Sequence, residues 1–169
     1  MDAITLLKTR RSCRSFTTEQ VREEDLQAIL DCGLNAPSAR NGQDTKIVVL
    51  QDPALIQTLS DINGEIWGQG KDPFYGAPTV CLILAPKANA NGVQDGSLVI
   101  GAMQAAAYAI GVGSCWINRC KEMLEDSRGE NIKVQWGLAD YQGVGCCALG
   151  YPTEPAKDLP RKPDRVLRK

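Results

Sequence analysis

The stretch PTVCLILA, residues 78–85, decides the fold class because it carries almost no polar side chain. A strand without a polar face must be covered on both sides, so this stretch predicts a central strand of a sheet. Three further stretches predict the other strands: TKIVVL at residues 45–50, the apolar residues 112–117, and GVGCCALG at residues 143–150.

Helical patterns fall between these strands without a strict strand–helix–strand repeat. The predicted helices are residues 3–9, 23–33, 53–62, 95–110 and 121–136. We expect Asp52 and Asp95 to cap the third and fourth of them. No linker or repeat divides the chain, so residues 1–169 predict one α+β domain with helices packed on a central sheet.

Two segments are predicted to be irregular. Residues 63–76 hold four glycines and three aromatic side chains, which favours a mobile loop. Residues 153–169 contain three prolines that exclude a helix, so they predict an extended arm.

Composition and charge exclude several classes of protein. The 169 residues are 43% hydrophobic and 23% charged, with 19 basic and 20 acidic side chains and a net charge of −1. No global field attracts nucleic acid or an anionic membrane, so we expect neither partner. The longest apolar stretch is interrupted by polar residues and the first residues do not resemble a signal sequence, so we expect a cytoplasmic protein.

The chain has no histidine, which excludes Ser-His-Asp hydrolysis and Cys-His proteolysis. Seven cysteines occur without a C-x-x-C pair, so they predict reduced, mostly buried thiols rather than a metal site. Neighbouring Cys146 and Cys147 would point to opposite faces of a strand, which disfavours a dithiol. The glycine-rich strings lack the spacing of a phosphate loop or a dinucleotide fingerprint.

Basic residues lie near both ends of the chain: Arg10, Arg11 and Arg14 near the start, and Arg161 with Lys162 near the end. Guanidinium groups suit phosphate oxygens, and Ser12 adds a hydroxyl to the first run. A solvated basic helix end, stabilised by the helix dipole, explains Arg10 and Arg11 equally well. The run alone does not decide between these readings.

A set of motifs in a fixed order decides between these two interpretations of the basic run. They are R-R-S-x-R-x-F at residues 10–16, A-P-S-A-x-N-x-Q at 36–43, the aspartate and Ala-rich helix at 95–111, G-x-G-S-C-W-I at 111–117, L-G-Y-P at 149–152 and R-K-P at 161–163. Across nearly its whole length the chain resembles the FMN-dependent nitroreductases, in particular their short members. The resemblance implies an α/β/α sandwich with a mostly antiparallel sheet, in an intertwined homodimer whose C-terminal arms are exchanged.

The resemblance also implies a set of FMN-binding residues. Arg10 and Arg161, with Lys162 beside them, would hold the phosphate, and Arg11 and Ser12 would line the ribityl and phosphate end. Arg14 would lie at the N1 side of the ring, where a cation stabilises the negative charge of the reduced flavin. The second subunit would contribute Pro37, Ser38, Ala39, Asn41 and Gln43, and the segment near flavin N5 would comprise Cys115, Trp116, Ile117 and Asn118.

By the same resemblance, hydride passes from NADH or NADPH through flavin N5 to a nitroaromatic, quinone or related acceptor in a ping-pong reaction. No protein acid, base or metal is required, since the cofactor carries the chemistry. A flavoprotein that binds FMN without turnover, as a sensor or carrier, and a thiol-based redox protein remain alternatives. The acceptor and the choice of nicotinamide are left open.

Several residues have two readings at this point. Trp67, Phe74 and Tyr75 either stack on a substrate or anchor a loop by packing. Cys13 and Cys115 are either inert buried thiols or redox partners of the flavin. Trp116 is either a core residue or a flavin neighbour.

Overall fold

The computed structural model describes residues 2–155 and 157–169, and its centre is a four-stranded antiparallel sheet. The strands are β1 (Lys46–Leu50), β2 (Thr79–Pro86), β3 (Gly113–Ile117) and β4 (Tyr141–Gly150), in the order β1-β2-β4-β3. β2 pairs with β1 and β4, and its residues 79–85 are all buried. The prediction of a central strand from PTVCLILA is confirmed.

The described residues form six helices, and five of these cover the two faces of the sheet. The six helices are α1 (Ala3–Thr9), α2 (Glu23–Leu34), α3 (Pro53–Trp67), α4 (Gly92–Ala109), α5 (Cys120–Glu125) and α6 (Ser127–Gln135). Helices α2 and α4 pack on one face, and α3, α5 and α6 pack on the other. The result is the predicted three-layer α/β/α arrangement.

The alternation of side chains along the strands divides the core into two layers. Leu82 and Cys146 lie in the layer under α3 and α5, whereas Ile83 and Cys147 lie in the layer under α2 and α4. Cys146 and Cys147 therefore point to opposite faces, as predicted.

Helix α4 approaches the sheet closely because two glycines face it. A Cβ atom at Gly92 would lie 2.7 Å from the Cβ of Ala85, and one at Gly96 would lie 2.8 Å from a Val144 methyl. The predicted start of this helix is wrong: Asn91 is the N-cap, and Asp95 lies inside the first turn. Its carboxylate instead accepts a hydrogen bond from the loop before β1.

Helix α3 begins where predicted, with Asp52 accepting a hydrogen bond from the Ala54 amide and Pro53 at the first helical position. It is longer than predicted, because residues 63–67 continue the helix to a left-handed cap at Gly68. The loop therefore starts five residues later than the sequence suggested.

The segment after α1 pairs with the end of β4. Phe16 forms a β-bridge with Pro152, and the Thr17 amide donates to the Tyr151 carbonyl at 2.8 Å. Beyond Pro152 the described residues contain no helix or strand, in agreement with the predicted extended tail. In the part of the chain that the structure describes, no helix combines the length and apolar character needed to cross a membrane.

Candidate functional site

The basic run at residues 10–14 lies in extended conformation beside β3. The Cys13 amide donates to the Ser114 carbonyl at 2.9 Å, and a Cβ atom at Gly113 would lie only 2.9 Å from the Cys13 sulfur. Arg11 borders one cavity, of about 290 Å³, and Arg14 borders another, of about 320 Å³, while Cys13 borders both.

Arg10 carries a buried donor without a partner. Its Nη1 atom makes no hydrogen bond to any described residue. Arg11 contrasts with it: its guanidinium bonds to the Asp158 carboxylate and to the carbonyls of Lys8 and Arg10, the last two at 2.8 Å. A buried guanidinium nitrogen without an acceptor is costly, so Arg10 fits an anion that is bound at this position.

Cys115 lies beside the basic run. Burial raises the pKa of its thiol, while the positive charge of Arg14 and a hydrogen bond with Ser12 act in the opposite direction. Ser12, Arg14 and Cys115 thus lie close together. The raised pKa makes Cys115 a poor thiolate nucleophile at neutral pH.

The two residues after Cys115 have different surroundings. Ile117 is buried in the layer under α3 and α5. Trp116 is on the opposite face with 36% of its surface exposed, and its ring lies over Gly145, where a Cβ would come within 2.8 Å. Trp116 therefore covers the sheet edge and remains accessible from outside.

Of the three aromatic residues considered for substrate stacking, only Tyr75 contacts the basic run. Phe74 is fully buried and anchors its loop by packing. Trp67 lies under the guanidinium of Arg119, with 5.0 Å between Cζ and the ring centroid. The Tyr75 ring centroid is 5.9 Å from the Cζ of Arg14.

The loop that carries Pro37, Ser38, Ala39, Asn41 and Gln43 has a fixed shape. It contains a short 3-10 turn, Ala39–Asn41, and three non-glycine residues with positive φ: Arg40, Asn41 and Gln43. The Ser38 hydroxyl accepts from the Gln43 amide at 3.0 Å, and the Gln43 side-chain amide donates to Asn41 at 2.8 Å.

This loop is attached to the start of α4. The Ala39 amide donates to the Asp95 carboxylate at 2.9 Å, which explains why Asp95 is buried and does not cap the helix. Tyr108, near the other end of α4, borders the same cavity as Arg11 and Cys13. At 1.5 Å per residue, Asp95 and Tyr108 are about 20 Å apart. Within one chain the structure therefore does not bring the loop to the basic run.

The C-terminal cations Arg161 and Lys162 are exposed on the irregular tail. The tail reaches the basic run through Asp158, whose pKa is lowered chiefly by its hydrogen bonds from Arg11 and also by the nearby charge of Arg161. Arg161 is thus on the same side of the molecule as Arg11.

The cysteines form no disulfide in the folded chain. All seven are free, and six are buried. Burial raises the pKa of Cys81 to about 12 and raises the pKa values of Cys146 and Cys147 well above the ordinary range. These thiols are protonated at neutral pH and closed to solvent, which argues against the thiol-based alternative.

Sequence reasoning missed one buried contact beside the predicted N5 segment. The Asn63 side chain is fully buried, donates to the Asn118 carbonyl at 3.0 Å and accepts from the Arg119 Nε at 3.0 Å. Arg119 has a φ of +65°, so this contact holds a strained turn at the end of β3. No local pattern signals it, because the partners are 55 residues apart or more.

Comparisons with known proteins bear on the family of the chain. The sequence model of the nitroreductase family matches residues 7–151. The chain is 43% identical over 200 residues to an NADH dehydrogenase of Thermus thermophilus, covering 99% of this chain and 95% of the relative. It is 27% identical over 188 residues to an FMN reductase [NAD(P)H] of Bacillus subtilis, covering 98% and 72%.

A solved structure shows the same fold. The crystal structure of a nitroreductase with bound FMN from Bacteroides fragilis superposes with a TM-score of 0.92 at 23% identity, covering 100% of this chain and 99% of the other. The fold and the family match over most of the sequence lead to the same assignment. The chain belongs to the nitroreductase family.

Proposed function

We propose that this protein is an FMN-dependent oxidoreductase that transfers two electrons from NADH or NADPH to a nitroaromatic, quinone or related small acceptor. The observation that carries the proposal is the buried Arg10 Nη1 without an acceptor, next to Ser12 and Arg14 on the edge of β3. A phosphate oxygen would complete its hydrogen bonding. The relatives named as an FMN reductase and an NADH dehydrogenase support the same chemistry.

The residues present fit FMN as follows. Arg10 would hold the phosphate together with Arg161 and Lys162, and Ser12 would hold the adjoining ribityl chain. Arg11 is assigned to the same end, and its existing contact with Asp158 would link the tail to the phosphate site. Cys115, Trp116 and Ile117 would form the side of the site near N5.

The two-electron chemistry is supplied by FMN when it is bound. The chain's own contribution is electrostatic and geometric. Arg14 is exposed and forms no ion pair with any described residue, so no acidic partner offsets its charge beside the site, where it favours a negatively charged bound group. No residue is required as a general acid or base, which is consistent with a chain that has no histidine.

We propose a homodimer because the separation along α4 prevents one chain from completing the site. A second copy would bring Pro37, Ser38, Ala39, Asn41 and Gln43 to the basic run of the first. Exposed apolar residues on α1 and α4 offer a surface for this contact, among them Ile4, Leu7 and Leu98. Exchange of the C-terminal arms would place Arg161 and Lys162 in the same interface.

Seven free cysteines support a reducing, cytoplasmic setting.

Reconstitution followed by anaerobic titration tests the proposal. The purified chain is incubated with FMN, freed of excess ligand and titrated with NADH or NADPH without oxygen, while the visible flavin absorbance is recorded. We expect one FMN per chain, bleaching by a nicotinamide, and recovery of colour on adding a quinone. A protein that retains no FMN contradicts the proposal. Retention of FMN without bleaching by either nicotinamide would favour a sensor or carrier instead.

A further inference from the structure

Tyr75 has a backbone conformation that its side chain disfavours. Its φ is +58°, in the left-handed region, and the next residue, Gly76, has a φ of +68°. A Cβ atom makes this region unfavourable, whereas glycine adopts it freely. The contacts around Tyr75 must therefore offset the cost of this conformation.

The loop around Tyr75 is held by one carboxylate. Asp72 accepts hydrogen bonds from the Ser60 hydroxyl at 2.6 Å, the Phe74 amide at 2.8 Å and the Gly76 amide at 2.5 Å. Phe74, immediately before Tyr75, is fully buried. The residues on both sides of Tyr75 are therefore fixed, and the ring is presented in one direction.

That direction leads to Arg14. The Arg14 Cζ lies 5.9 Å from the Tyr75 ring centroid, within the range of a cation–π contact. Arg14 is exposed, and no acidic side chain among the described residues pairs with it. The ring is thus the one aromatic contact that restricts this guanidinium in the part of the chain that the structure describes.

We propose that Tyr75 is a positioning residue for Arg14, and that its ring holds the guanidinium at the side of the site where the reduced cofactor carries its negative charge. This inference rests on the proposed function, because it assigns Arg14 to FMN. It adds a residue from a different loop, which none of the motifs in the sequence contains. Tyr75 does not react; it restricts the position of a charge.

The test compares two substitutions at Tyr75 with a matched loss of a tyrosine ring elsewhere. Tyr75→Phe keeps the ring face, Tyr75→Leu removes it, and Tyr141→Leu removes a half-buried tyrosine from β4. The first readout is the chemical shift of the Arg14 side-chain protons in the protein without FMN. We expect a ring-current shift that is retained in Tyr75→Phe and in Tyr141→Leu and lost in Tyr75→Leu.

The second readout is the midpoint potential of bound FMN. Tyr75→Leu should lower the potential, because a less restricted Arg14 stabilises the reduced cofactor less. The expected size is that of one exposed cation–π contact, which corresponds to a change of about two- to fivefold in the ratio of the dissociation constants of oxidised and reduced FMN. Tyr75→Phe should keep the potential of the unaltered protein. In an Arg14→Met background, Tyr75→Leu should have no further effect, because its partner is absent.

The inference is overturned if Tyr75→Leu leaves the potential unchanged, or if its effect persists in Arg14→Met. If Tyr75→Leu does not fold, the test is the nuclear Overhauser contact between the Tyr75 ring and the Arg14 side chain in the unaltered protein. The absence of this contact also overturns the inference. Failure of the proposed function gives a different result: the protein binds no FMN, while the contact between Tyr75 and Arg14 is still observed in the cofactor-free chain.

Discussion

Replacement of Arg10 by methionine should affect the free and the FMN-bound protein in opposite directions. Methionine keeps an unbranched side chain but removes the Nη1 atom that has no acceptor among the described residues. A buried donor left unpaired costs about 1–3 kcal/mol, and Arg10 is half-buried, so the lower end applies. The variant without FMN should be more stable by about 1 kcal/mol, which for a domain of this size raises Tm by about 2–4 °C.

Binding of FMN should be weakened by the same substitution. A hydrogen bond to a charged group contributes about 1.5–3 kcal/mol, and each 1.4 kcal/mol is a factor of ten, so the Kd should rise by about 10- to 100-fold. At an FMN concentration about 100 times the Kd of the unaltered protein, FMN stabilises that protein by about 2.7 kcal/mol. The variant gains about 1 kcal/mol under the same conditions, so the order of the two melting temperatures reverses.

The assay is thermal unfolding with and without FMN, together with a fluorescence titration for the Kd. Lys121→Met is the matched control, because it removes one positive charge from an exposed position on α5 and should keep the Kd within about twofold. Arg11→Met should show the opposite sign in the free protein, since it breaks contacts with Asp158 and two carbonyls. An Arg10→Met variant that binds FMN as tightly as the unaltered protein would refute the reasoning.

Three further properties follow from the described contacts. A hydrogen bond from the Tyr151 hydroxyl holds the pKa of Asp25 below its ordinary value, so the stabilisation it gives the fold is complete above the unfolded pKa of about 3.9 and lost as pH falls through the folded pKa. The free energy of unfolding, measured with urea, should therefore fall more steeply below about pH 4 than it does in Asp25→Asn. Parallel pH curves for the two proteins would contradict this. Gly129→Ala should lower Tm by about 5 °C or more, because its Cβ would lie 2.0 Å from a backbone carbonyl oxygen, whereas Gly64→Ala, with 3.4 Å to its nearest neighbour, should not; equal Tm values would exclude the clash. A thiol reagent should label Cys32 rapidly in the native protein and the other cysteines only after unfolding, and rapid labelling of several thiols would contradict the burial of the rest.

Much of the fold was predictable because the patterns concerned are local. Helix α3 has an aspartate cap and a proline at its start, and the apolar residues of β2 require cover on both faces. The predicted start of α4 was wrong because a contact with a distant residue determines the role of Asp95. Asp95 has the chemistry of a cap but bonds to Ala39, 56 residues away, and α4 begins at Gly92 instead.

The site was predictable in its residue types rather than in their contacts. Ordered motifs identified the basic run and the loop at residues 36–43, and these assignments remain predictions. Periodicity and composition could not reveal that Arg11 pairs with Asp158, or that Tyr75 reaches Arg14. Both contacts join residues that only the packing of the whole chain brings together, so no window of sequence contains them.

The separation of the two halves of the site along α4 has a direct consequence. If the basic run and the loop that share one FMN come from different chains, defects placed in different chains can be complemented. Arg10→Met weakens FMN binding at the first half, and a double change, Asn41→Asp with Gln43→Glu, places two carboxylates in the second. A heterodimer of these two chains has one site with both defects and one with neither.

Measuring the FMN content of the mixed dimers is the most direct test of this account. Each variant alone should retain little FMN, whereas refolding the two together in equal amounts should yield about one quarter of the sites with the affinity of the unaltered protein, since half of the dimers are mixed and each of them has one intact site. Mixed dimers that bind no more FMN than the separate variants would contradict a site shared between two chains.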